Sequence, residues 1–167
     1  MLRQAGFSIL TLLLLAIAVV GGLVFTFIGT GPNVAGQMGA QRAAQLVAQA
    51  QLIVHRITKC AADYPNGDNG TALHKAYPSD ANPGPLAVAS LICPGNNQNL
   101  WSGSDGVYPP TAPTSFGAWS YTNAVPAIIT ITTTQPAAYS VSIAAAAARI
   151  GLAASATADT LTVKIVE

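Results

Sequence analysis

Charged residues are scarce in this chain of 167 residues. Lys and Arg number 7 and Asp and Glu number 6, so 8% of the sequence is charged and the formal net charge is +1. An ordinary soluble domain has about a quarter of its residues charged. A net charge this small gives no sign of a basic surface that would bind nucleic acid, and none of one that would bind anionic lipid beyond Arg3. Such a composition is common in surfaces that lie against each other or face the outside of a cell, and a solitary domain poor in charge shares it.

Residues that could carry catalysis are few and scattered. Of two histidines, His55 falls on the polar side of a predicted helix and His74 stands beside Lys75. No two of the six acids suggest a general acid and base, and no phosphate loop or dinucleotide fingerprint occurs. The segment Gly103–Gly106 lacks the strand, turn and helix of a nucleophile elbow. We therefore predict that the chain is not an enzyme and needs no cofactor.

One cluster of oxygen-bearing side chains has two interpretations. Its members lie within seven residues: Asp63, Asn66, Asp68 and Asn69. Such hard oxygens suit calcium, but the spacing is not that of an EF-hand loop and no bidentate Glu follows. Turn formation explains the same residues, so we predict no metal site.

The chain has only two cysteines, Cys60 and Cys93. They form no Cys-x-x-Cys pair, and no histidine stands at zinc spacing from them. If the domain is extracytoplasmic, one disulfide is the natural interpretation, with two separate buried thiols as the alternative. Closing a loop of this length would stabilise the fold by roughly 3–4 kcal/mol.

A run of 22 residues without charge, Phe7–Ile28, follows a short leader that carries Arg3. As a helix it would measure about 33 Å, enough to cross the roughly 30 Å core of a bilayer. A cleaved signal peptide would have a shorter apolar region and an Ala-x-Ala pattern after it, so a retained anchor is favoured. The positive-inside bias then places Arg3 in the cytoplasm and the chain from Gly29 outside.

The junction of leader and run resembles a known family. Arg3-Gln4-Ala5-Gly6 followed by Phe7-Ser8-Ile9-Leu10 is similar to the N-terminus of type IV prepilins and type II secretion pseudopilins. The resemblance implies that a prepilin peptidase cuts between Gly6 and Phe7 and that Phe7 becomes the N-methylated first residue. The family usually has glutamate five residues after the cut, where this chain has Thr11. That departure suits a minor pilin at a filament tip, a variant major pilin, or an anchor that never polymerises.

The resemblance implies a structural protein of the α+β class, with a long N-terminal hydrophobic helix and a small antiparallel β-sheet domain. Its partners would be copies of itself or related pilins in a helical filament, and it would reside in the inner membrane before assembly and on the cell surface afterwards. The alternative is a single-span anchored binding or adhesion module outside the cytoplasm that does not polymerise.

Five segments are expected along the chain: a leader at 1–6, the membrane or filament-core helix at 7–31, its amphipathic second half at 32–60, an irregular region at 61–117 and a β-β-α-β part at 118–167. Apolar residues at spacings of three and four predict that a helix runs from Val34 to about Lys59. This stripe consists of Ala43, Leu46, Val47, Ala50, Ile53, Val54 and Ile57. Gln41, Arg42, Gln45, Gln49 and Arg56 fall on the remaining surface.

The region 61–117 holds eight prolines and dense turn signals, which predict a surface region of irregular structure. Its apolar island, Leu86–Ile92, is expected to be a short helix or strand that buries Leu86, Leu91 and Ile92. Beyond it, alternation predicts strands at 118–123, 127–134 and 160–166. Pro136 and Gly151 would bound a helix at 137–150, although Tyr139–Ile143 alone could be a strand.

Overall fold

The computed structural model describes residues 34–65, 76–78, 84–102 and 106–165. The predicted membrane run Phe7–Ile28 therefore lies outside the described residues, and within the described ranges no helix is long and apolar enough to cross a bilayer. The chain divides into two units, Met1–Met38 and Gly39–Glu167. Only residues 34–38 of the first unit are described, and they are the first residues of a helix. The fold below is that of the second unit.

Helix α1 spans Val34–Asp63, which confirms the predicted helix and extends it by four residues. Its sequence is rich in Ala and Gln, which favour helix, and it contains no proline. The helix ends where Tyr64 precedes Pro65, because the residue before a proline is disfavoured in helical conformation. The predicted apolar stripe is its inner face: Ala43, Leu46, Ala50, Ile53 and Ile57 are each at most 1% exposed.

A five-stranded antiparallel sheet, in the order β1-β4-β5-β7-β6, packs against α1. Its strands are β1 (Leu86–Ala87), β4 (Ser120–Thr122), β5 (Ile128–Thr132), β6 (Ala154–Ala156) and β7 (Thr160–Lys164). A separate hairpin pairs β2 (Ile92–Cys93) with β3 (Gln98–Asn99). A helix with a small antiparallel sheet makes the fold α+β, which is the fold class expected from the sequence.

The two faces of the sheet differ in chemistry because side chains alternate along each strand. Buried Tyr121, Ile129 and Val163 lie side by side across β4, β5 and β7. The opposite face carries hydroxyls, and the Ser120 and Thr130 hydroxyl oxygens are 2.6 Å apart. The predicted strands are confirmed in place: β4 and β5 are shorter at both ends than expected, and β7 begins at Thr160 as expected and ends at Lys164. Strand β6 was not predicted.

Helix α2 spans Pro136–Ile150, with Pro136 in its first turn and Gly151 just beyond its end. The strand interpretation of Tyr139–Ile143 was wrong. The buried side chains recur at spacings of three and four: Tyr139, Ser142, Ile143 and Ala146. The Arg42 guanidinium of α1 stacks 4.6 Å from the centroid of the Tyr139 ring, and Arg149 donates a hydrogen bond to the carbonyl oxygen of Ala40. These contacts join α2 to α1.

The region 61–117 contributes more to the core than predicted. Tyr77, Leu91 and Trp101 are buried within it, so it is not a surface region throughout. The island at Leu86–Ile92 forms β1 and then a 3₁₀ turn, Val88–Ser90. Leu91 is buried as expected, whereas Leu86 is only half-buried, and the predicted burial of Ile92 was wrong, since that side chain is 50% exposed. Successive side chains of an extended backbone point to opposite sides, so Ile92 points away from the core because its neighbour Leu91 points inward.

Candidate functional site

The predicted processing and assembly residues, Gly6, Phe7 and Thr11, lie outside the described residues. The predicted disulfide is confirmed: Cys60 and Cys93 are bonded, with their Cα atoms 5.8 Å apart. Both cysteines are buried. The bond joins the last turn of α1 to strand β2, so the hairpin of residues 92–99 is held covalently against the end of the helix.

Asparagine side chains hold this hairpin in shape. The Asn99 amide nitrogen donates to the Ala89 carbonyl oxygen at 3.1 Å, and its amide oxygen accepts from the Trp101 backbone N–H at 2.7 Å. The Asn96 amide oxygen accepts from the Gln98 backbone N–H at 2.8 Å. Both the nitrogen and the oxygen of the Asn99 amide are hydrogen-bonded to backbone groups, so Asn99 has a structural role. Asn96 keeps its amide nitrogen as a possible donor.

The tip of the hairpin fits closely against Tyr64, the residue that follows α1. Gly95 has φ +86°, and a Cβ placed there would come within 2.8 Å of the Tyr64 ring atom Cδ1. Glycine is therefore required at this position for two reasons, backbone conformation and space. The contact fixes the Tyr64 ring beside the hairpin.

These elements enclose a polar surface pocket of about 220 Å³. We call it the helix-end pocket. It is lined chiefly by Arg56, Lys59, Asp63, Tyr64, Asn96 and Gln98, with the disulfide beside them. The Lys59 ammonium nitrogen and the Asp63 carboxylate oxygen are 2.6 Å apart, an ion pair about half exposed at each partner. The Arg56 guanidinium lies 5.8 Å from the Trp101 ring centroid.

A second surface pocket of about 390 Å³ lies between α1, the end of α2 and strand β7. Its lining is mainly apolar, with Val54, Ile150 and Val163 inside, and basic groups border it at His55 and Lys164. His55 is exposed on α1, as predicted.

Gln49 was predicted to lie on the polar surface of α1, but it is half-buried and bonded on both sides. Its amide oxygen accepts from the Trp119 indole N–H at 2.8 Å, and its amide nitrogen donates to the Thr111 carbonyl oxygen at 2.7 Å. Gln49 thus ties α1 to the sheet and to the preceding loop. The sequence pattern shows only that a polar residue stands beside the stripe.

In the described ranges, the acidic side chains occupy isolated positions. No group of three or more His, Cys, Asp and Glu comes together there in a way that could hold a metal ion. Asp63 of the possible calcium cluster pairs with Lys59, while Asn66, Asp68 and Asn69 lie outside the described residues. In the turn before β7, hydrogen bonds from the hydroxyls of Thr157 and then Thr160 lower the pKa of Asp159.

Comparison with protein-family models, with curated proteins and with solved structures found no match to this chain. Sequence reasoning located the disulfide but missed the helix-end pocket, although the Cys93-Pro94-Gly95 turn signal marked the hairpin that forms one of its walls.

Proposed function

We propose that this chain is a structural subunit of a type IV pilus-like filament, assembled through its N-terminal hydrophobic segment. The observation that carries the proposal is the junction of Gly6 and Phe7, which follows a short basic leader and precedes 22 uncharged residues. A membrane anchor of any kind would have the apolar run. The Gly-Phe-Ser junction distinguishes a prepilin-like segment from other anchors.

Apolar burial supplies a physical reason for assembly. A segment such as Phe7–Ile28 is stable in lipid, and outside lipid it must be covered by other apolar surface. Packing between copies would provide that cover, so the same segment could serve first in the membrane and then in a filament. The described part of residues 39–165 is compatible with this proposal, because the apolar stripe of α1 is covered by its own sheet and is not the surface that would pack between copies.

Processing tests the proposal directly. Protein isolated from the producing cells should lack Met1–Gly6, and mass spectrometry should find an N-methylated Phe7 as its first residue. Replacement of Gly6 by Val should leave the leader in place, whereas Ala5→Val serves as a matched control that is still processed. An intact Met1 on the native protein would contradict the assignment.

Electron microscopy tests assembly separately. Fibres should appear in preparations of the processed protein and be absent for Gly6→Val. Thr11, which stands where this family usually has glutamate, suits a minor pilin or a variant major pilin, and it also suits the alternative function, an anchored binding module that stays monomeric. Uncut, monomeric protein in detergent would support that alternative.

A further inference from the structure

Several bonds and contacts hold the walls of the helix-end pocket in place. One wall belongs to the end of α1 and the other to the hairpin, and the disulfide joins the two. The tip of the hairpin fits against Tyr64 at Gly95, and the two hydrogen bonds of Asn99 fix the hairpin itself. A pocket held in one shape before its ligand arrives loses less conformational entropy on binding.

The ion pair at the end of α1 offers hydrogen-bonding groups of both kinds. Lys59 donates to the Oδ2 oxygen of Asp63. An ammonium has three donors and a carboxylate has two acceptor oxygens, so this one bond leaves further donors on Lys59 and the Oδ1 oxygen on Asp63. Both side chains are about half exposed, so a ligand can reach them. Because their charges are equal and opposite, the pair suits a neutral ligand that can both donate and accept.

The hairpin adds two neutral amides to the same pocket. The Asn96 amide oxygen is occupied by the Gln98 backbone N–H, so the Asn96 side chain presents its nitrogen as a donor. The exposed Gln98 side chain offers both a donor and an acceptor. Donors and acceptors in one pocket match neighbouring hydroxyls of a ligand, because each hydroxyl donates one hydrogen bond and accepts others.

Tyr64 adds an aromatic ring to these polar groups. An aromatic ring beside amides and a carboxylate suits a pyranose, which carries hydroxyls on its edge and C–H groups on its faces. The pocket volume of about 220 Å³ is below the roughly 300–1,000 Å³ of pockets that hold drug-sized molecules, so it accommodates a single ring.

We propose that the helix-end pocket binds a neutral hexose at the end of a glycan. The sugar ring lies against Tyr64, and its hydroxyls bond to the Asp63 carboxylate and to the amides of Asn96 and Gln98. No group of the ligand is placed on Arg56. This binding requires only the described fold of the second unit and does not depend on whether the chain forms filaments.

NMR titration of the full chain with simple glycosides tests the proposal. The protein should be kept in a detergent without a sugar headgroup, because maltosides would compete for the pocket. The probes are methyl β-D-galactoside, methyl β-D-glucoside and methyl α-D-mannoside. At least one should shift the side-chain amide signals of Asn96 and Gln98 saturably, with a dissociation constant on the order of 1 mM. Tetrahydropyran, which has the ring but no hydroxyls, should bind more than about tenfold more weakly.

Two variants and one control assign the binding to this pocket. Asp63→Asn keeps the size of the side chain but loses a charged acceptor, so it should weaken glycoside binding about tenfold. Gln98→Ala should weaken it about fivefold. Gln45→Ala, at an exposed position of α1 outside the pocket, should leave it unchanged. An exposed ion pair adds little stability, so Asp63→Asn is expected to fold. Thermal melting checks each variant, and Gln98→Ala decides the matter if Asp63→Asn is unfolded.

Four results would overturn the proposal. The first is an absence of shifts with all three glycosides at about ten times the expected dissociation constant. The second is binding that both Asp63→Asn and Gln98→Ala leave unchanged. The third is displacement of the glycoside by an equal concentration of glycerol, which would show that the pocket does not recognise the ring. The fourth is binding of a free hexose but not of its methyl glycoside, which would exclude a glycan end.

Discussion

Gln49 shows at the residue scale how one polar side chain can join three parts of the fold. Its amide oxygen is the acceptor for the Trp119 indole N–H, and Trp119 is only 3% exposed. A buried donor that loses its acceptor has no water to replace it. The helix, the sheet and the loop at Thr111 therefore share one point of attachment.

We predict that Gln49→Ala lowers the free energy of unfolding by about 1–3 kcal/mol, because the Trp119 indole N–H is left unpaired. Gln45→Ala, at an exposed position one turn earlier, should change it by no more than about 0.5 kcal/mol. Urea denaturation followed by circular dichroism measures both. Equal effects of the two substitutions would show that the hydrogen bonds of Gln49 add nothing.

The second prediction at this scale concerns the pKa of Asp159. Hydrogen bonds from Thr157 and Thr160 stabilise the carboxylate, so its pKa in the folded protein lies below that of the unfolded chain. Its contribution to stability is then fully present above the unfolded pKa and is lost as the pH falls through the folded pKa. Thr157→Val should raise the pKa of Asp159 toward its ordinary value, as measured by NMR titration of the carboxyl carbon. Thr58→Val, on α1, should leave that pKa where it is.

The hairpin shows at the element scale how a covalent bond and one glycine position a short element. Strands β2 and β3 have two residues each and could not persist alone. The Cys60–Cys93 bond fixes one strand, and the Gly95–Tyr64 contact fixes the turn.

Gly95→Ala should destabilise the protein by about 1–3 kcal/mol more than Gly151→Ala does. Both glycines have φ +86°, so both substitutions add the same kind of backbone strain. A Cβ at Gly151 meets nothing within 4 Å, whereas one at Gly95 meets Tyr64. Thermal melting of the two variants separates the steric cost from the conformational one, and identical melting temperatures would contradict the prediction.

Elements with strong periodicity could be predicted from sequence, and elements made by pairing could not. The stripe of α1 and the alternation at Leu161 and Val163 identify their buried faces directly. Strand β6 consists of Ala and Ser, which have little preference for strands, and it exists because it pairs with β7. The apolar residues of 61–117 are separated by turn signals, so no period reveals that Tyr77 and Trp101 are buried.

The candidate site likewise has one part that could be predicted from the sequence and one part that could not. The disulfide could be predicted because the chain has only two cysteines, so a single pairing is possible. The helix-end pocket could not, because Arg56 and Gln98 are brought together by the fold and not by any spacing in the sequence.

The described part of residues 39–167 shares one core at the scale of the whole molecule. Side chains from α1, the sheet and α2 belong to a single cluster, which includes Ile53, Ile129 and Ile143. Unfolding of this unit should therefore be cooperative, since among its described residues the helices and the sheet share this one core.

Removal of the disulfide should lower the stability of this core by about 3–4 kcal/mol, as expected for closing a loop of this length. The variant Cys60→Ala/Cys93→Ala, compared with the oxidised protein in guanidinium chloride, measures the loss. A reducing agent should shift the unfolding midpoint of the natural protein and leave that of the double variant unchanged. A variant as stable as the oxidised protein would show that the bond does not contribute to stability.

The same bond also determines what a single proteolytic cut can release. The 33-residue separation between the two cysteines means that cleavage of any one peptide bond between them leaves both fragments attached to each other. A nicked molecule would run at full size on a non-reducing gel and as two bands after treatment with a thiol. Cleavage within this segment would thus break the chain without detaching either half.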